Sequence, residues 1–203
     1  MRLIGLCGGS GSGKGSVCEI FLRLGVPSLD LDALYHSLIS HDTPCVRELV
    51  SEFGDEILSG GKIDRKALGR IVFSDERKRQ RLNSIAHKHV IKETERLITS
   101  QRALGFDYLI IDAPLLFEAG YDKRCDLVIA VIADTEKRLD RIVARDGISR
   151  EAALTRINTQ ISNDELIKKC HYIIYNNSDL TSLEEEVGTV FNKIRAEWSN
   201  KNE

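Results

Sequence analysis

The chain has 203 residues, 42% of them hydrophobic and 30% charged, with a formal net charge of -2. That is too apolar for disorder, holds no run near the ~20 apolar residues of a membrane helix, and excludes the global polyanion binding of a basic nucleic-acid domain. The length suits one compact core with an inserted lobe, since ~150 residues is usual for a domain. The opening Met1–Leu6 is too short for a secretory signal. Cys7, Cys18, Cys45, Cys125 and Cys170 are odd in number and never spaced as CxxC. Free thiols in a reducing cytosol are therefore expected, not a disulfide framework or a zinc ribbon. His87 and His89 stand two apart, which points them to different sides of a helix and argues against a metal pair. We expect a cytoplasmic monomer with no nucleic-acid or membrane partner.

In chain order, Arg2–Cys7 predicts a first strand, and 14–24 a helix that ends at Gly25. Val26 to Leu31 predicts a second strand, Tyr108 to Ile111 a third, Leu127 to Ala133 a fourth and Tyr172 to Tyr175 a fifth. These runs are consecutively apolar, as strands covered on both faces of a parallel sheet require. Asp134 and Ser149 are placed to cap helices, and Ser162 with Glu165 and Thr181 with Glu184 have capping-box spacing. Between the second and third strands the alternation breaks. That stretch shows no convincing strand, only helical patterns around residues 44–53, 65–73 and 75–104. From Asp64 to Arg102 it carries eleven Lys and Arg against five Asp and Glu. The excess fits a solvated helix face or a surface for a phosphate-bearing ligand.

The most specific motif is Gly8-Gly9-Ser10-Gly11-Ser12-Gly13-Lys14-Gly15-Ser16. From Gly8 it has the GxxxxGK spacing of a P-loop, with a strand before it and a helical pattern after it. Glycines let the backbone wrap a phosphate with several N–H groups, the helix presents its positive end, and Lys14 adds a full charge. Gly9, Ser10, Gly11, Ser12, Gly13, Lys14, Gly15 and Ser16 are thus candidate ATP-binding residues. A Mg²⁺ ion is expected with the nucleotide, but its protein ligands are not assigned. The residue after the lysine should be Ser or Thr, whose hydroxyl binds Mg²⁺; here it is Gly15, and Ser16 lies about 100° further round the helix. Because Mg²⁺ keeps several waters, a water can fill that place at some loss of affinity. No GxGxxG frame supports a dinucleotide-binding loop, and Asn176-Asn177-Ser178-Asp179 lacks the lysine of the guanine-reading NKxD.

Asp30-Leu31-Asp32 closes the second strand, where residues of an open parallel sheet face the ligand crevice. Strand alternation would point Asp30 and Asp32 the same way. Two carboxylates beside a phosphate loop suggest proton or metal handling; capping of the next helix is the other reading, and suits Asp32. Asp112 ends the third strand in the Walker B manner, followed by Pro114-Leu115-Leu116-Phe117-Glu118. Arg138, Arg141, Arg145, Arg150 and Arg156 crowd a helical hairpin after the fourth strand. Glu136, Asp140, Asp146 and Glu151 can pair with some of them. Otherwise the hairpin is a mobile lid that lays arginines on the γ-phosphate.

Taken together, Gly8–Lys14, Asp30 with Asp32, Leu82-Asn83 leading to His87, Pro114–Glu118, Arg141 with Arg145, and Tyr172–Asn177 resemble the bacterial dephospho-CoA kinase family, over roughly Leu3 to Asp179. The resemblance implies an α/β fold: a P-loop NTPase-type parallel five-stranded sheet flanked by helices, with a helical insertion lobe and a helical lid. It gives a core of 1–32, 106–135 and 165–203, an acceptor-binding insertion of 33–105 and a lid of 136–164. It implies transfer of the ATP γ-phosphoryl to the ribose 3′-hydroxyl of dephospho-CoA. Asp32 aligns with the family's proposed general base and Arg141 belongs to the lid; with Lys14, whose charge lies near the β- and γ-phosphates, they are the candidate catalytic residues. Arg145 and Asn176 fall on the ATP side, Asn176 near the adenine. Asp30, Arg81, His87, Leu116 and Glu118 fall on the acceptor side. Gly15 departs from the pattern, as does Lys88, where the family often has proline. Another P-loop small-molecule kinase, such as a nucleoside kinase, is the first alternative; the Pro114–Glu118 segment and the basic insertion favour an acceptor that carries a pyrophosphate. A nucleotide-binding sensor without catalysis is the second, and the presence of Lys14, Asp32 and the lid arginines argues against it.

Overall fold

A computed structural model describes residues 1–73 and 75–200. Two compact units form: Met1–Ser28 with the chain from Phe106 onward, and Leu29–Gly105. In chain order the elements begin with β1 (Arg2–Cys7), α1 (Lys14–Arg23), β2 (Ser28–Asp30), α2 (Leu31–Leu38), α3 (Pro44–Phe53), β3 (Leu58–Ser59), β4 (Lys62–Ile63), α4 (Arg65–Phe73) and α5 (Glu76–Ala103). They continue with β5 (Tyr108–Asp112), β6 (Leu127–Ile132), α6 (Thr135–Asp146), α7 (Arg150–Asn158), α8 (Asn163–Lys169), β7 (Tyr172–Tyr175) and α9 (Leu180–Asn200). No helix among the described residues is long and apolar enough to cross a membrane.

The sheet has the order β2-β5-β1-β6-β7. β1 runs parallel to both neighbours, with Ile4 opposite Ile110 on one side and Leu127 on the other. Ile4, Leu6, Ile110 and Ile129 are fully buried, because helices cover both faces; this is why the strands read as unbroken apolar runs and not as alternating ones. On one face α1 presents Val17, Ile20 and Phe21, and α9 presents Leu183, Val187, Val190, Phe191, Ile194 and Trp198. Both sets recur at helical spacing. Phe191 meets Phe21 and Tyr108 edge to face, with ring centroids 5.6 and 5.3 Å apart, and Tyr108 stacks on Trp198 at 5.5 Å. Each large apolar side chain buried here contributes roughly 1.5–3 kcal/mol, so the sheet that carries the phosphate loop is the rigid part of this unit.

The α6–α7 hairpin has a small core of its own, Leu139, Ile142, Ala153 and Ile157. Ser149 caps α7, and Ser162 with Glu165 forms the expected capping box on α8. Two local expectations need correction. Thr181 and Glu184 do not box the last helix; the Asp179 carboxylate accepts from the Ser182 N–H at 2.9 Å instead. Asp134 stands at the N-cap of α6 but makes no capping bond, since its carboxylate accepts from Asn177 Nδ2 at 2.9 Å.

The second unit packs α2 to α5 around Ile39, Cys45, Leu49, Phe53, Ile57, Leu68 and Ile85. It holds a two-stranded hairpin where no strand was expected. Leu58 pairs with Ile63 and Ser59 with Lys62 across Gly60-Gly61, both at positive φ (58° and 76°). Glycine adopts that turn without steric cost. The second sheet strand stops at Asp30 and does not reach Leu31. The Asp30 carboxylate accepts from the backbone N–H groups of Asp32 and Ala33 at 2.9 and 3.0 Å, which starts α2 at Leu31. Asp30 and Asp32 therefore do not lie on one strand, and it is Asp30, not Asp32, that caps. Lys88 stands inside the unbroken helix α5, where a proline would remove a backbone donor.

All five cysteines are free thiols. Burial pushes Cys45 up to about 11 and Cys125 up to about 12, so these thiols stay protonated at neutral pH.

Candidate active site

The phosphate loop follows directly from β1. Gly13, at φ 95°, is the N-cap of α1, and the first turn of that helix carries neither a side-chain cap nor an acid. The orphan N–H groups that begin every helix are thus open to an anion, with the dipole favouring it. The glycines make room for protein as well as for phosphate. A Cβ on Gly8 (φ 151°) would run into the Val131 carbonyl, and one on Gly11 (φ 76°) would lie 2.6 Å from the Arg138 carbonyl oxygen. Gly15 differs: a Cβ there would meet nothing within 4 Å. Ser12 Oγ is buried without a hydrogen-bond partner, a donor available to a phosphate oxygen.

Lys14 Nζ lies 3.4 Å from the Gly8 carbonyl oxygen and 3.8 Å from Asp112 Oδ1. Parallel pairing sets Asp112 level with Leu6, so the end of β5 lies beside the start of the loop. Cys18 faces the same carboxylate, Sγ to Oδ2 at 3.8 Å. Burial, followed by the Asp112 charge, pushes this thiol up to about 12, leaving it a neutral donor.

The arginines divide into two groups. Arg145 lies on Asp146 at 2.7 Å, Arg156 pairs with Asp146, and Arg150 pairs with Glu136 and Asp140. These are the acid-paired arginines that the sequence allowed for. Arg141 donates to the carbonyl oxygens of Gly11 and Asn176, both at 3.1 Å, and to Asn176 Oδ1 at 3.2 Å. Asn176 is buried and donates from Nδ2 to the Ser12 carbonyl at 2.8 Å. Arg138 is 3% exposed and donates to the Ser10 carbonyl at 2.9 Å and to Gln160 Oε1 at 3.2 Å. Burial lowers its pKa. Neither Arg138 nor Arg141 pairs with a carboxylate among the described residues. Two guanidinium groups without counter-ions, next to the open N–H groups that begin α1, form a site for a polyanion.

Gln160 was not singled out from the sequence, and Arg138 only as one of the five arginines of the hairpin. Arg138 shares a helix face with Arg141 and Arg145, which was the available sign. Gln160 lies far from the loop in sequence, and nothing local marks it. Leu116 is fully buried, and its Cδ2 fills the space over Gly5. Glu118 is exposed, and the Phe117 ring lies under Lys169 Nζ at 5.3 Å.

Four sequence-derived candidates lie in the second unit. Asp30 is the cap described above. Asp32 is exposed in the first turn of α2, and its carboxylate has no partner among the described residues. Arg81 donates to Glu52 at 2.9 Å, and His87 is exposed on α5, while its neighbours Lys88 and His89 both bind Glu48. Among the described residues no cluster of three or more His, Cys, Asp or Glu could hold a metal by itself.

Comparison with known proteins gives this site a family. The dephospho-CoA kinase family model matches residues 2–182. A dephospho-CoA kinase of Carboxydothermus hydrogenoformans is 36% identical over 99% of this chain and 98% of its own. Another, of Fusobacterium nucleatum, is 42% identical over 92% of this chain and 95% of its own. The solved structure of a Campylobacter jejuni dephospho-CoA kinase is 27% identical and superposes with a TM-score of 0.70, covering 96% of this chain and 98% of that one. The matched span takes in the phosphate loop, Asp112, the two arginines without counter-ions and Asn176, and on it the chain belongs to the dephospho-CoA kinase family.

Proposed function

We propose that this protein transfers the γ-phosphoryl group of ATP to the ribose 3′-hydroxyl of dephospho-CoA, giving coenzyme A and ADP. The observation that carries the reading is a P-loop lysine 3.8 Å from the carboxylate that ends β5, in a chain whose family match runs over residues 2–182. Phosphoryl transfer needs little covalent help from a protein; catalysis is positioning and charge stabilisation. Gly9 to Ser16 hold the triphosphate. Lys14 and Arg141 offset the charge on the transferred group, and Asn176 and Arg145 belong to the nucleotide side. Asp32 takes the proton from the 3′-hydroxyl. Arg81, His87 and Glu118 serve the acceptor, with the buried Leu116 anchoring the segment that carries Glu118, and Asp30 sets the turn that presents Asp32. The enzyme works in the cytoplasm as a monomer.

The residues at the loop fit Mg²⁺. Asp112 supplies a hard oxygen donor, and the open space at Gly15 leaves room for water, in keeping with an ion that retains its waters and leans on substrate phosphates. When bound, Mg²⁺ would neutralise and orient the β- and γ-phosphates. Gly15→Ser is expected to lower the Mg²⁺ concentration needed for half-maximal rate, since the hydroxyl replaces a water and the site has space for it. An unchanged Mg²⁺ titration would mean that another protein group already holds the ion.

Arg81→Glu is expected to raise the KM for dephospho-CoA about tenfold and spare that for ATP, because it reverses one charge in the basic insertion. Steady-state kinetics with each substrate varied in turn checks this; movement of the ATP value alone would remove the insertion from the acceptor side.

The assignment itself is tested by ADP release with dephospho-CoA against a panel of nucleosides. Turnover with dephospho-CoA alone supports it. Preference for a nucleoside would make the protein another small-molecule kinase, and ATP binding without turnover of any acceptor would make it a sensor.

A further inference from the structure

We propose that Gln160, held in place by Arg138, is a positioning residue that fixes the crown of the phosphate loop and so sets the affinity for ATP. This rests on the reading of residues 8–14 as the ATP-binding loop. Ser10 stands at the crown, and residues from outside the loop satisfy three of its polar groups. Its backbone N–H donates to Gln160 Oε1 at 2.8 Å, and Gln160 Nε2 lies 3.1 Å from its hydroxyl. Its carbonyl accepts from Arg138 Nε at 2.9 Å. Arg138 also donates to Gln160 Oε1 at 3.2 Å, so one side-chain oxygen receives both the loop and the arginine.

Two glycines give way to this arrangement. A Cβ on Gly9 would collide with the Arg138 guanidinium and stand 3.0 Å from Gln160 Oε1, and one on Gly11 would stand 2.9 Å from the Arg138 Cα. Glycine at these two positions therefore does more than free the backbone for phosphate: it lets α6 and the segment after α7 close on the loop. The contacts cost the arginine its hydration, and no carboxylate among the described residues offsets that cost. The same contacts use Ser10 groups that would otherwise be solvated and mobile. A loop already held in shape loses less conformational freedom when the triphosphate arrives. The geometry also makes nucleotide affinity depend on the α6–α7 hairpin, whose core of Leu139, Ile142, Ala153 and Ile157 holds Arg138 and leads to Gln160.

The test is ATP binding by calorimetry on the wild type, Gln160→Ala, Arg138→Lys and the double variant, with the KM for dephospho-CoA and the melting temperature measured alongside. Lysine keeps the charge at 138 but lacks the fork that reaches Ser10 and Gln160 together. Each single variant is expected to raise the ATP Kd about tenfold by leaving polar groups at the crown unsatisfied. The double variant should add little further, because both residues act through Ser10. The KM for dephospho-CoA should stay within about twofold. Should Gln160→Ala not fold, Arg138→Lys carries the same comparison. The proposal is overturned if ATP affinity stays within about twofold of wild type in these variants. It is equally overturned if the constants for both substrates rise together as the melting temperature falls, which is what a merely structural role would give. Failure of the wild type to bind ATP would instead overturn the reading of the loop.

Discussion

Lys14→Ala is expected to lower turnover by about 10³-fold or more and to leave the fold in place. The charge that Lys14 supplies acts where negative charge redistributes during transfer, and removing one preorganised group at such a place typically costs ~10²–10³-fold, with arginines on a γ-phosphate reaching ~10³–10⁵. The fold should survive because the lysine contributes little to it. Its ammonium makes one contact with the Gly8 carbonyl and one with Asp112, and the sheet rests on Ile4, Leu6, Ile110 and Ile129. Kinetics paired with thermal unfolding checks both halves. Normal turnover with normal ATP saturation would end the P-loop assignment.

Asp32→Asn is expected to lower kcat by ~10²–10⁴-fold, the usual contribution of a general base, and to change the KM for dephospho-CoA far less. Asn has the shape of Asp and suits the first turn of α2, so the change removes basicity with little else. Asp30→Asn is the internal control. Its carboxylate is committed to the N–H groups of Asp32 and Ala33, and Asn caps about as well as Asp, so turnover should fall less than with Asp32→Asn. The opposite order would move the base to Asp30.

How far the sequence reached depends on whether the physics was local. The strands of the sheet were legible because both their faces are buried, which makes β1, β5 and β6 rich in Ile, Leu and Val on consecutive positions. The P-loop was legible because its spacing states its own geometry. The end of β2 was misjudged because Asp30 serves as a helix cap, a choice made by two backbone N–H groups that alternation in a strand does not register. The Leu58–Ile63 hairpin was missed although Gly60-Gly61 announces a tight turn, since two-residue strands carry no periodicity. Arg141 and Arg138 were both visible as hairpin arginines, whereas Gln160 and the grip of Arg138 on Ser10 were not, because that role exists only where residues 138 and 160 close on Ser10. That some of the hairpin arginines pair with Glu136, Asp140 and Asp146 was foreseeable from the acids around them, although the pairs lie one, ten and fourteen residues apart and not at helical spacing; which arginines escape such pairing was not.

The central claim is transfer to the 3′-hydroxyl of dephospho-CoA, and mass analysis of the product tests it most directly. The protein is incubated with ATP, Mg²⁺ and dephospho-CoA, and the nucleotide product is isolated and then treated with a 3′-nucleotidase. The expected result is a product with one added phosphoryl group, formed in step with ADP and removed by the nucleotidase. Dephospho-CoA recovered unchanged, or a phosphoryl group that the nucleotidase does not release, would contradict the account.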